Sequence, residues 1–76
     1  VARLPQVTGS RLVRALEAVG WHVHHQKGSH VVLKNPERPE RRIVVPCHGS
    51  KKLKKGTLHG ILKDAGLSGD ELRNLL

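Results

Sequence analysis

A chain of 76 residues, 37% of them hydrophobic, has room for one thin core, and its single cysteine rules out an internal disulfide that could staple it. Fourteen Lys and Arg against six Asp and Glu leave a formal charge of +8, which points to a polyanion or an acidic protein as partner. Trp21 is the only residue among Phe, Trp and Tyr, which argues against RNA binders that stack bases on an aromatic platform. No apolar run approaches the ~18 residues of a membrane span and no signal-peptide pattern opens the chain. The expectation is a single domain over 1–76, soluble and cytoplasmic.

Residues 1–7 include Pro5 and show no periodicity, so they read as an extended lead-in. A helix is expected over 8–19, with Val7 as a hydrophobic staple and Thr8 as N-cap. Leu12, Val13, Ala15, Leu16 and Val19 form its one-sided apolar stripe, Arg11 and Arg14 face solvent, and Gly20 ends it by accepting the left-handed conformation. Residues 21–46 read as three strands joined by short turns. Trp21 to Gln26 alternates, with Trp21 and Val23 on one face and His22, His24 and Gln26 on the other. Lys27-Gly28-Ser29 is the first turn, His30 to Lys34 the second strand, and Asn35 to Glu40, with two prolines, the second turn. Arg41 to Val45 is the third strand, closed by Pro46. Val31, Leu33, Ile43 and Val45 are expected beneath the helices, which leaves His30 on the open face or its rim.

Cys47 to Lys55 is a loop rich in lysine. A second helix is expected over 57–65, with Leu58, Ile61 and Leu62 at helical spacing and Gly66 at its end. A short helix over 69–75 follows Ser68, which stands at capping-box spacing from Glu71. The order is helix, three-stranded antiparallel meander, helix and short helix, an α+β arrangement with the helices on one face.

Three groupings could carry chemistry. His22 and His24 project from one side of a strand near His30, but no acid or cysteine stands close in sequence and no spacing matches a closed zinc set, so no metal and no cofactor is expected. Cys47 beside His48 fails as a thiol-imidazole pair, because neighbours on an extended chain point opposite ways. Lys51, Lys52, Lys54 and Lys55 gather before a helix N-terminus, where free amides and cations suit a phosphate backbone. His30 follows a flexible turn with Lys27 and Ser29 beside it. An imidazole can take and give a proton at neutral pH, as RNA cleavage through the 2'-hydroxyl requires. Lys27 could stabilise phosphate charge, and Ser29 could orient the imidazole or the substrate.

Five blocks stand in register over residues 7 to 76: Ser10 to Val19 with Gly20-Trp21, Gln26-Lys27-Gly28-Ser29-His30, Val44-Val45-Pro46-Cys47-His48-Gly49, Leu53-Lys54-Lys55-Gly56-Thr57-Leu58, and Ile61-Leu62-Lys63-Asp64-Ala65-Gly66-Leu67-Ser68. Together they resemble the HicA toxins of toxin-antitoxin pairs. The resemblance implies a fold like the double-stranded-RNA-binding domain. It also implies an mRNA interferase that cuts transcripts without the ribosome and is silenced by a HicB antitoxin. The family's essential histidine lies in its Gly-Ser-His motif and carries over to His30, with Lys27, Gly28 and Ser29 around it; Lys54 and Lys55 match the approach to the second helix. Trp21 stands where Phe is more usual and Val31 where a second histidine is common, and the resemblance assigns no second acid or base.

The leading expectation is therefore a metal-independent endoribonuclease toxin with His30 as catalytic group and Lys27, Lys51, Lys52, Lys54 and Lys55 on phosphate. Its rivals are an RNA-binding module of the same fold that does not cut, and an interaction domain whose basic face docks an acidic protein.

Overall fold

The computed structural model describes residues 4–76, so the first part of the lead-in, residues 1–3, lies outside the described residues. The elements run α1 (Gly9–Ala18), β1 (His22–Lys27), β2 (His30–Lys34), β3 (Arg42–Pro46), α2 (Lys55–Ala65) and α3 (Gly69–Leu75).

Local chemistry sets the ends of α1. The Thr8 hydroxyl accepts a bond from the Arg11 amide at 3.3 Å, satisfying one of the amides a helix start leaves free. At the other end Gly20 takes a φ of +103°, and the Trp21 amide donates back to the Leu16 carbonyl at 3.1 Å. That reversal tucks the Trp21 side chain into the core, where it is among the largest fully buried groups. Leu12, Ala15 and Leu16 are buried on the same side, whereas Val19, expected in the apolar stripe, is exposed because it lies past the last helical turn.

The three strands form one antiparallel sheet in the order β1-β2-β3. Val31, Leu33, Ile43 and Val45 face the helices and are buried with Leu58, Ile61, Leu62, Ala65 and Leu72, the alternation a half-covered sheet requires. On the open face, cross-strand partners form three rows: Lys27, His30 and Pro46; His25, Val32 and Val44; His22, Lys34 and Arg42. Val32 is buried even there, between His25 and Val44.

The expected alternation of β1 needs correction. The register shifts between Val23 and His25, so that Gln26 pairs with Val31 and joins the helix side of the sheet. Val23 shares that side but sits on an edge strand and is 46% exposed, unlike Trp21. A bulge puts two residues opposite one and breaks the period of two.

The connection from β2 to β3 is tied by Asn35. Its buried side chain accepts from the Glu37 amide at 3.0 Å, and Arg41 closes the connection onto α2 by donating to the Asp64 carbonyl at 3.1 Å. Helix α2 begins two residues before the expected Thr57, because Lys54 takes the extended N-cap conformation and its carbonyl accepts from Leu58. Gly66 ends α2 in the left-handed region. Ser68 and Glu71 form the reciprocal capping box at the start of α3.

Candidate active site

The hairpin between β1 and β2 turns on Gly28, whose φ of +60° is a left-handed conformation that favours glycine. The Gln26 side-chain amide donates to the Gly28 carbonyl at 3.1 Å, bracing the turn from β1. A second brace comes from the far side of the sheet, where the Cys47 amide donates to the Ser29 carbonyl at 2.6 Å. His30 then opens β2 with its side chain exposed, Lys27 opposite on β1 and Pro46 opposite on β3.

The brace from Cys47 does more than hold the turn. It draws the chain leaving β3 back across the end of β2 and brings the His48 ring to 6.3 Å from that of His30, centroid to centroid, at an interplanar angle of 83°. The Lys51 amide donates to the His48 carbonyl at 3.0 Å, which curls the lysine loop around it. A hollow follows, lined by Pro46, His48, Lys51, Lys52, Lys54 and Thr57. The loop itself is anchored to the lead-in: Thr8 bridges Lys52, and the Leu53 amide donates to the Val7 carbonyl at 2.8 Å.

Both long helices point their positive ends at this rim. Gly9 sits so close to Pro46 and Cys47 that an added Cβ would meet the Pro46 carbonyl oxygen at 2.5 Å. Lys54 caps α2 without a side-chain hydrogen bond. Neither helix carries an acid in its first turn, so the partial positive charge of each N-terminus is unopposed locally. The acids lie elsewhere, at Glu17 near the end of α1, Glu37 and Glu40 in the β2–β3 connection, Asp64 at the end of α2, and Asp70 and Glu71 in α3. Stretches 18–36 and 41–63, which supply both histidines and the lysine loop, contain no acid.

Of the residues expected at the site, Lys27 is the cross-strand neighbour of His30, Gly28 shapes the turn, and Ser29 contributes its carbonyl to the Cys47 brace. Lys51, Lys52 and Lys54 border the His48 hollow, whereas Lys55 borders a different one with Leu4, Pro5, Gln6, Lys52 and Leu58. His48 is not among the groups the sequence singles out, because beside Cys47 it reads only as a candidate base for a thiol. The strand register held the signal: in an antiparallel pair His30 faces Pro46, so a residue just beyond Pro46 can reach past His30.

Cys47 itself is half-buried with its thiol toward the Val45 carbonyl at 3.8 Å. Burial pushes its pKa up from the ordinary value, the reverse of what a nucleophilic thiol needs. The rings of His24 and His25 meet edge to face at 5.2 Å. Among the described residues no three His, Cys, Asp or Glu side chains gather as a metal site, and no helix is long and apolar enough to cross a membrane.

A helix, an antiparallel meander and two further helices make this an α+β domain of the double-stranded-RNA-binding type. No curated protein matches the chain. The family model described as the HicA toxin of bacterial toxin-antitoxin systems matches residues 9–67, and the chain belongs to that family. It is thus the toxin of a toxin-antitoxin pair, and an antitoxin is its partner.

Proposed function

We propose that this toxin is an endoribonuclease that cuts mRNA independently of the ribosome, in the cytoplasm, by histidine acid-base chemistry and without a metal, and that a HicB-type antitoxin silences it. The observation that carries the reading is the position of His30: exposed, beside Lys27, on a rim built from acid-free stretches. An RNA strand supplies its own nucleophile, the 2'-hydroxyl, so the protein has three tasks. It must hold the phosphate, move protons and stabilise charge as it develops. Lys27 lies where it can offset charge on the phosphate, and Lys51, Lys52 and Lys54 line the path by which the backbone would approach. Lys55 extends that cationic surface on its other side. Ser29 assists by holding the turn that presents His30.

Labelled RNA incubated with purified protein tests this directly. The parent should cut in the presence of a chelator, and His30→Ala should lose roughly 10²- to 10⁴-fold in rate while still retarding RNA in a gel. Induced expression should arrest growth unless the antitoxin is co-expressed. A folded parent that shifts RNA and leaves it intact would make this a binding module. Cutting by His30→Ala at the parental rate would remove His30 from the chemistry.

A further inference from the structure

We infer that His48 is the second proton-transfer group, acting on the same phosphodiester as His30. This rests on the proposal that the domain cuts RNA. Cleavage through the 2'-hydroxyl forms a bond from O2' to phosphorus and breaks the bond from phosphorus to O5'. One group removes the 2'-hydroxyl proton, and another delivers a proton to O5' as it leaves. The products are a 2',3'-cyclic phosphate and a 5'-hydroxyl. The base finishes as an imidazolium and the acid as a neutral imidazole, and exchange with water resets both.

In-line attack places entering and leaving oxygens on opposite sides of phosphorus. The two groups must therefore stand near each other, each within about 2.6–3.2 Å of its oxygen. Rings 6.3 Å apart at an interplanar angle of 83° are suited to flank one phosphate. His48 is also held in place by its backbone. The Cys47 amide binds the Ser29 carbonyl, immediately before His30, the Lys51 amide binds the His48 carbonyl, and Gly9 lets β3 close onto α1. The charged groups facing the pair are all cations: Lys27 from β1, and Lys51, Lys52 and Lys54 from the loop. The first turns of α1 and α2 bring no acid. No carboxylate therefore competes for the protons, and the two imidazoles are the groups suited to supply acid and base.

Cleavage of a labelled RNA is followed across pH for the parent, His30→Gln, His48→Gln and, as a control, His59→Gln, which alters an exposed residue of α2 that borders a different hollow, with Leu4, Leu62 and Lys63. The parent should show a bell-shaped profile and His59→Gln should match it. His48→Gln should melt like the parent, fall by roughly 10²- to 10⁴-fold in rate and lose one limb of the bell. An RNA with sulfur in place of the leaving O5' needs no acid, so it should restore whichever of the two histidine variants lacks the acid. His48→Gln cutting within a few-fold of the parent with both limbs intact overturns the inference and leaves the nuclease reading standing. A parent that cuts no RNA overturns both.

Discussion

Replacing Gly9 by alanine tests how the site is assembled. In a helix, glycine to alanine ordinarily stabilises by up to about 1 kcal/mol, so secondary structure alone predicts a gain. The tertiary setting predicts a loss. The new Cβ would lie 2.5 Å from the Pro46 carbonyl oxygen, 2.8 Å from the Cys47 thiol and 2.9 Å from the Cys47 Cα. Two of those atoms are backbone, so relief requires α1 and the end of β3 to move apart. Overpacking of this kind costs about 1–3 kcal/mol; Gly9 is the first residue of α1, so only about half of the interior propensity gain applies, and the net loss should be roughly 0.5–2.5 kcal/mol. At about 4–8 °C per kcal/mol for a domain of this size, the melting midpoint should fall by several degrees. Gly60→Ala provides the opposite sign, because nothing lies within 4 Å of a Cβ at that interior position of α2. Its midpoint should rise. Thermal and urea unfolding followed by circular dichroism measure both. If Gly9→Ala proves as stable as the parent, the close packing of α1 on β3 does not govern this end of the molecule.

Three further outcomes follow from the same structure. Trp21→Ala removes the largest side chain of the core and should cost about 3–5 kcal/mol, enough in so small a domain to abolish a cooperative melt. RNA affinity should fall steeply with salt, and Lys52→Ala should reduce the magnitude of the log-log slope by about 0.7–1 without changing sequence preference; an unchanged slope would remove that lysine from the interface. Because burial raises the Cys47 pKa, the folded state favours the neutral thiol. The corresponding stability is complete below the ordinary thiol value and is lost as pH rises through the raised one. Alkylation at neutral pH should therefore be slower in the folded protein than in denaturant, and equal rates would show that Cys47 is not shielded.

Much of this architecture was legible because local signals were strong. The Thr8 and Ser68 caps, the left-handed glycines after both long helices, and the alternation of Val31, Leu33, Ile43 and Val45 each have a cause within a few residues of sequence. What escaped were features set by contacts between distant stretches. The bulge in β1 has no Gly or Pro to announce it, so Gln26 could not be assigned to its proper face. His48 required knowing how far the third strand runs past the start of the second. The early start of α2 depends on the backbone conformation of Lys54, a residue with no capping side chain, and composition alone could not reveal it.

The bulge also reconciles two demands on one short strand. Trp21 must enter the core, and Lys27 must stand on the open face beside His30. They stand six positions apart, an even number, so an unbroken strand would send both side chains the same way. Either the core would gain an ammonium group or His30 would lose its cationic cross-strand neighbour. One additional residue changes the parity, anchoring the strand through tryptophan at one end while aiming lysine outward at the other. The irregularity at His24 therefore lets a chain this short serve its interior and its cationic rim with a single hairpin.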